Sequence, residues 1–153
     1  MKIFIITICN KNEDYEKLLT EKYKKLIRKF YDLNFININF KKDKNNKDIY
    51  KAEYQKAISL IKPNSTVVAL DELGKAYKSV EFSKKMEFWL ENASNIYFFV
   101  GGPDGLSEEV LRKADYVFSL SNLTFPHVLA KIILIEQLYR SICIMNNHPY
   151  HRS

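Results

Sequence analysis

Short apolar segments alternate with longer amphipathic segments along the chain. Five segments have the length and composition of strands: 3–8, 35–40, 66–70, 96–100 and 116–120. The segment 35–40 alternates apolar with polar residues, which predicts a half-exposed strand, whereas Ile96–Val100 is apolar throughout, which predicts a strand buried on both faces. Apolar positions three and four residues apart predict helices over 13–29, 48–61 and 79–91, a short helix capped by Ser107, and a long one that Thr124 and Pro126 open.

This alternation predicts a single α/β domain over residues 1–153, with a mostly parallel sheet flanked by helices. The chain has 153 residues, of which 46% are hydrophobic, so it can bury a sizeable core. No repeat or linker interrupts the pattern. The longest apolar run in the last helix, Ile132–Ile135, is far too short to span a membrane.

The net charge of +6 is distributed unevenly. Residues 1–62 hold 15 basic and 8 acidic side chains, whereas the remainder holds 9 and 10. A basic first half is typical of a protein that contacts a polyanion such as RNA, with chemistry placed elsewhere. The alternative is a solvated lysine-rich surface, since the abundance of Lys, Asn and Ile also fits an A/T-rich genome. The segment 41–47 is the most strongly cationic loop.

The cysteines and histidines do not form a recognisable metal or disulfide pattern. Cys9 and Cys143 each lie in an apolar segment, which predicts buried free thiols in a reducing compartment. Cys143, His148 and His151 match no standard zinc spacing, so we expect no metal. The N-terminal segment is better explained as a first strand than as a signal sequence, because no small-residue cleavage site follows it. We therefore expect a soluble, cytoplasmic protein.

Two loops follow predicted strands at the edge of the sheet where α/β proteins hold ligands. The first is the glycine turn 101–105, which leads into a helix N-terminus but matches neither the dinucleotide nor the P-loop pattern. The second, 119–126, mixes hydroxyls with apolar groups and suits a ligand with an adenine-like ring. Taken alone, the first is as well explained by a structural turn, and the second is better explained by an N-terminal cap for the long helix.

The last helix and the tail after it hold further candidates. Glu136 and Arg140 are spaced for an ion pair on the helix surface. Five apolar residues form a stripe that is either core or a partner surface: Val128, Ile132, Ile135, Tyr139 and Ile142. The tail that follows is rich in titratable and stacking groups: His148, Tyr150, His151 and Arg152.

Five ordered blocks resemble one family closely: Leu70-Asp71-x-x-Gly74-Lys75, Val100-Gly101-Gly102-Pro103-Asp104-Gly105-Leu106, Ser119-Leu120-Ser121-x-Leu123-Thr124-Phe125-Pro126-His127, Glu136-Gln137-Leu138-Tyr139-Arg140 and Asn147-His148-Pro149-Tyr150-His151-Arg152. They resemble the bacterial ribosomal RNA large subunit methyltransferase H family, and the similarity covers essentially the whole chain. The resemblance implies the knotted α/β fold of the SPOUT methyltransferases, which periodicity alone does not predict. It also implies methylation of N3 of a pseudouridine in 23S rRNA of the assembled ribosome, with S-adenosylmethionine as the methyl donor.

The resemblance further implies a homodimer whose active site lies between the protomers, with the apolar stripe as a plausible dimer surface. Carried over by motif, the cofactor site comprises Leu70, Gly101, Leu120, Ser121, Asn122, Leu123, Thr124 and Phe125. Both loops then belong to one pocket.

The tail is expected to supply the catalytic groups: His148, Tyr150, His151 and Arg152. His148 or His151 is expected to remove the N3 proton as a general base. Alternatively, water accepts this proton while Arg152 stabilises the negative charge on the carbonyl oxygens. Tyr150 is expected to stack on an unpaired base. RNA phosphates are expected to be held by four cations: Arg140, Lys41, Lys42 and Lys44.

Two other functions stay open. The first is a non-catalytic RNA- or ribosome-binding module of the same fold. The second, disfavoured by the missing fingerprints, is a nucleotide-binding or hydride-transfer protein that uses the glycine turn for phosphates. Loss of affinity for S-adenosylmethionine would favour the module, and preference for ATP or NAD would favour the second.

Overall fold

A computed structural model describes residues 1–8, 14–39, 47–102 and 104–152, and residues 47–50 as backbone only. Strands and helices alternate in the order β1 (Lys2–Ile8), α1 (Asp14–Ile27), β2 (Asp32–Ile38), α2 (Lys47–Ser59), β3 (Ser65–Ala76), α3 (Ser79–Asn92), β4 (Asn95–Val100), α4 (Glu108–Lys113), β5 (Tyr116–Ser119) and α5 (His127–Met145). The five strands form one sheet in the order β2-β1-β4-β3-β5, and each neighbouring pair is parallel. The predicted α/β class and parallel sheet are confirmed, and the knot stays a prediction.

The central strand β4 is buried on both faces, as its apolar composition predicts. Ile96, Phe98 and Val100 belong to a core that α1, α3 and α5 cover. Tyr97 and Phe99 belong to a second core that α2 and α4 cover. The sheet is therefore the middle layer of three, and both faces of its central strand exclude water.

Two strands differ in extent from their sequence patterns. β2 begins at Asp32, because parallel pairing with β1 runs in register from Lys2 opposite Asp32 to Ile8 opposite Ile38. The alternating pattern from Phe35 marks only part of it, and Phe40 lies outside the described residues. β3 continues beyond Leu70 to Ala76, with an irregularity between Leu70 and Lys75 where its pairing with β5 shifts register.

The helix ends follow local chemistry. The Ser107 side chain accepts a hydrogen bond from the Val110 backbone N–H, so the predicted cap of α4 is confirmed. α5 begins at His127 with Pro126 as its N-cap, and Thr124 lies before the helix. Cys9 lies outside the described residues, whereas Cys143 is a buried free thiol, as predicted.

The apolar stripe predicted on α5 is mainly core. Ile135, Tyr139 and Ile142 are buried within the chain's own core, so these three residues cannot form a dimer surface. Val128 and Ile132 are only partly buried. Periodicity could not separate these alternatives, because α5 packs against both α1 and α3 and so buries apolar residues over much of its circumference.

Candidate active site

A cleft of about 590 Å³ opens where β3, β4 and β5 end. It is lined by Leu70, where the regular pairing of β3 ends, and by Val100 and Phe118 at the ends of β4 and β5. His127 and Ala130 of α5 close one side. The volume lies in the range of sites for small molecules and cofactors, and the carboxyl edge of a parallel sheet is where such sites form.

The glycine turn brings backbone up to the wall of this cleft. A Cβ added to Gly101 would lie 2.8 Å from the Gly105 carbonyl carbon, and one added to Gly102 would lie 2.9 Å from the Ile8 carbonyl oxygen. Gly105 has a φ of +75° and accepts a 2.6 Å hydrogen bond from the Tyr54 hydroxyl. Gly101 and Gly102 therefore need glycine for the close packing of the turn, whereas Gly105 needs it for the positive φ.

The extension of β3 forms a second wall, which lies on β5. A Cβ added to Gly74 would lie 2.7 Å from the backbone of Phe118, so only glycine allows the two strands to approach this closely. Asp71 accepts a hydrogen bond from the Leu73 backbone N–H over 2.9 Å. Asp71, Glu72 and Leu73 all line the cleft.

The loop after β5 forms the third wall. The Ser119 hydroxyl donates to the Ser121 carbonyl oxygen over 2.9 Å, and the Ser121 hydroxyl accepts from the Leu123 backbone N–H over 3.0 Å. The hydroxyls expected to face a ligand thus also fix the shape of the loop.

Most of the predicted cofactor residues meet in this cleft. Seven of the eight line it: Leu70, Gly101, Leu120, Ser121, Leu123, Thr124 and Phe125. Asn122 is exposed and is not among the lining residues. The sequence analysis did not predict Val100, Leu106 and His127 as cleft residues. Their positions could have indicated this role, because Val100 ends a strand, Leu106 follows the glycine turn and His127 lies in the first turn of α5.

The tail lies at the other end of α5. Asn147 adopts a left-handed φ of 52°, and the His148 backbone N–H donates to the Cys143 carbonyl oxygen over 2.8 Å, which turns the chain back on the helix. The 19 residues of α5 span roughly 28 Å at 1.5 Å per residue. The tail turns back as far as Glu136, and none of the four predicted catalytic residues lines the cleft of its own chain.

Tyr150 is held in place by contacts with α1 and α5. Its hydroxyl donates to Glu136 Oε1 over 3.0 Å and lies 3.5 Å from the hydroxyl of Tyr23. Its ring packs edge-on against Tyr139, with centroids 4.8 Å apart, and the guanidinium of Arg140 lies 4.9 Å from its centroid. Burial, followed by the hydrogen bonds with Tyr23 and Glu136, raises the pKa of Tyr150, so its hydroxyl keeps its proton and remains a donor.

Arg140 makes contacts in three directions. Its Nε donates to Glu136 Oε1 over 3.0 Å, and Nη2 donates to the same oxygen. Its Nη1 lies 3.2 Å from Nδ1 of His151. The hydrogen bonds with Glu136 raise the pKa of Arg140 above its ordinary value, so the guanidinium stays charged. The predicted ion pair is therefore the centre of a network that also holds the tail.

Of the other predicted tail residues, His148 and Arg152 are exposed.

A smaller depression of about 350 Å³ lies between α1, β2 and α5. Lys131 and Glu16 form a 2.8 Å ion pair there, with their side chains only 5% and 3% exposed. This pair ties α5 to α1 and places two opposite charges where water cannot screen them.

Comparisons with known proteins decide the family. A family model described as a predicted SPOUT methyltransferase matches residues 1–151. The chain belongs to the SPOUT methyltransferase family. It is 38% identical over 156 residues to the ribosomal RNA large subunit methyltransferase H of Legionella pneumophila strain Paris, covering 99% of each chain. It is equally identical over 159 residues to the protein of that name from Acinetobacter baumannii, covering all of both chains. The family resemblance stated from the sequence is confirmed.

A solved structure shares the fold. A probable methylase family protein from Haemophilus influenzae Rd KW20 matches with a TM-score of 0.57 at 15% identity, covering 99% of this SPOUT chain and 70% of that one. Within the described ranges, no helix is long and apolar enough to cross a membrane. Those same residues contain no group of three or more His, Cys, Asp or Glu side chains placed to hold a metal ion.

Proposed function

We propose that this SPOUT protein uses S-adenosylmethionine to methylate N3 of a pseudouridine in 23S rRNA of the assembled ribosome. The observation that carries the proposal is the cleft at the ends of β3, β4 and β5, in a chain similar over its whole length to rRNA large subunit methyltransferases. An rRNA substrate places the protein in the cytoplasm.

The cleft fits the proposed cofactor in size and chemistry. Apolar side chains such as Leu70 and Phe125 suit an adenine ring, while the tightly packed backbone of the turn at Gly101 offers polar groups to its edges. We assign the cofactor contacts to the predicted residues, with Asn122 the one that does not line the cleft. When bound, S-adenosylmethionine would supply a methyl group on a sulfonium and leave as S-adenosylhomocysteine.

The tail and the cleft would work together in a homodimer. Within one chain, the tail packs against the middle of α5 and none of its predicted catalytic residues lines the cleft. A tail that serves catalysis must therefore approach the cleft of a second copy, as in an isologous dimer. Leu123 lines the cleft and is exposed, and Leu129 and Ile132 in the first two turns of α5 are exposed and partly buried, so these apolar residues are available to such an interface.

The tail groups would assist removal of the N3 proton, since a neutral imide nitrogen is a poor nucleophile. His148, His151 and Arg152 are the candidates for this role. The contacts of Tyr150 suit it to positioning the tail, and its stacking on a base stays a prediction. Phosphate binding by Arg140 also stays a prediction, because its guanidinium is bonded within the chain. Lys41, Lys42 and Lys44 lie outside the described residues.

The experiment that tests this function is transfer of a radiolabelled methyl group from S-adenosylmethionine to ribosomes that lack the modification. We expect label in the large-subunit rRNA, at one pyrimidine, and none on ribosomes that already carry the methyl group. Ribosome binding without methyl transfer would contradict the enzyme proposal and favour a non-catalytic RNA-binding module. Preference for ATP or NAD over S-adenosylmethionine would instead favour a nucleotide-binding protein.

A further inference from the structure

The two tail histidines are the natural candidates for the base that removes the N3 proton, and their hydrogen bonds bear on that role. A neutral imidazole carries a proton on one nitrogen and a lone pair on the other, so only the nitrogen with the lone pair can accept a proton. The contacts of each ring therefore determine which nitrogen is free.

At His151 the contact is with a group that can only donate. Nδ1 lies 3.2 Å from Nη1 of Arg140, and a guanidinium has no acceptor atom. Nδ1 must therefore present its lone pair to Arg140, and the proton of the neutral ring lies on Nε2. Nδ1 cannot take a proton while Arg140 donates to it, and Nε2 already carries one.

Arg140 is itself fixed in this orientation. Glu136 accepts from its Nε and Nη2, and the ring of Tyr150 lies beneath the guanidinium. Tyr150 is in turn held by Glu136 and by Tyr23 of α1. Because these contacts leave Nη1 directed at His151, the arrangement of the ring is imposed by the fold of the chain.

His148 has the same arrangement. Its Nδ1 accepts a hydrogen bond from the Tyr150 backbone N–H over 3.2 Å, so its neutral ring also carries the proton on Nε2. Neither tail histidine therefore has a free lone pair with which to act as a base.

We propose that Arg140 is a positioning residue that holds His151 as the neutral Nε2–H tautomer, so that His151 donates a hydrogen bond to the substrate and does not remove its proton. This role rests on the proposed function. The N3 proton passes to a water molecule, and the negative charge that develops on the pyrimidine carbonyl oxygens is stabilised by His151 Nε2–H and the neighbouring Arg152.

The tautomer is tested by ¹⁵N NMR of the protein alone, with His148→Gln used to assign the signals. We expect a pyridine-like Nδ1 and a pyrrole-like Nε2 for His151. In Arg140→Met both signals should move toward the averaged values of a free imidazole, while Arg112→Met, which removes a cation from α4, should leave them unchanged. An averaged or Nδ1–H pattern in the wild type, or no change in Arg140→Met, overturns the proposal.

The role is tested by two substitutions of His151. Gln keeps a donor near the position of Nε2 but cannot act as a base, so His151→Gln should retain kcat to within about tenfold, whereas His151→Leu should lose about a further tenfold or more. A general base predicts that both variants lose about 10²–10⁴-fold, and this result would overturn the proposal. The nitrogen spectra need no substrate, so failure of methyl transfer itself is distinguished from failure of this role.

Discussion

The carboxylate of Glu136 accepts hydrogen bonds from Arg140, one turn further along α5, and from Tyr150 in the tail, all on the same oxygen. A carboxylate that satisfies donors from two elements fixes both of them relative to the helix. The conformation of the last residues is therefore set by one acidic side chain in α5, although the tail itself has no regular structure.

Substitution Glu136→Ala should release the tail without altering the cleft. Arg140 and Tyr150 would each lose their shared acceptor, whereas Glu136 is not among the residues that line the cleft. We expect kcat to fall by about 10- to 100-fold, as for loss of one or two charge-assisted hydrogen bonds. Affinity for S-adenosylmethionine, measured by calorimetry, should stay within twofold or so of wild type. A large loss of cofactor affinity would contradict this separation.

Glycine substitutions should separate close packing from backbone strain. In Gly74→Ala the new Cβ would lie 2.7 Å from the backbone of Phe118, so β3 and β5 must move apart. In Gly105→Ala the Cβ meets nothing within 4 Å, and only the positive φ is unfavourable. We expect Gly105→Ala to lose about 1–2 kcal/mol of unfolding free energy and Gly74→Ala more. Urea unfolding gives the comparison, and the reverse order would show that the strands adapt.

The buried pair Lys131–Glu16 should behave differently when one or both partners are removed. Glu16→Ala leaves an uncompensated ammonium in the core and should cost about 3–5 kcal/mol of unfolding free energy. Replacing both, as Glu16→Leu with Lys131→Met, should restore most or all of that stability. Equal losses in the single and double variants, measured by urea unfolding, would show that the pair contributes through packing alone.

Tyr150 supplies a prediction at alkaline pH. Burial and its hydrogen bonds raise its pKa above the ordinary value of 10.0, so its folded-state contribution is complete below that value and is lost as pH rises toward the raised pKa. The difference in unfolding free energy between wild type and Tyr150→Phe should be constant from about pH 6 to 9 and decline above about pH 10. A decline already at neutral pH would mean that another group titrates in this network.

Much of the fold follows from local sequence patterns, and the departures have identifiable physical causes. β4 was predictable because burial on both faces requires an uninterrupted apolar run. The start of α4 was predictable because Ser107 caps the helix through a local hydrogen bond. The early start of β2 depends on pairing with β1, which lies outside any local window. The stripe on α5 was ambiguous because a helix packed on two sides has no single buried face.

The same distinction applies to the site. The loops at Gly101 and Ser121 could be placed at one edge of the sheet from the order of strands and helices, and the family resemblance joined them in one pocket. The network around Tyr150 could not be predicted, because it depends on Tyr23 of α1, which is 127 residues away in sequence. Spacing suggested Glu136 and Arg140 as a surface pair and gave no sign of their partners in the tail.

The central claim is that the cleft and the tail, which do not meet within one chain, act together across two chains. It is tested most directly by mixing two impaired variants, Gly101→Ala in the cleft and His151→Leu in the tail, under conditions where subunits exchange. Only the mixed dimer then contains one site with an intact cleft and an intact tail. Random pairing of equal amounts predicts recovery of about a quarter of wild-type methyl transfer. No recovery, with exchange of subunits confirmed, would show that each chain uses its own tail.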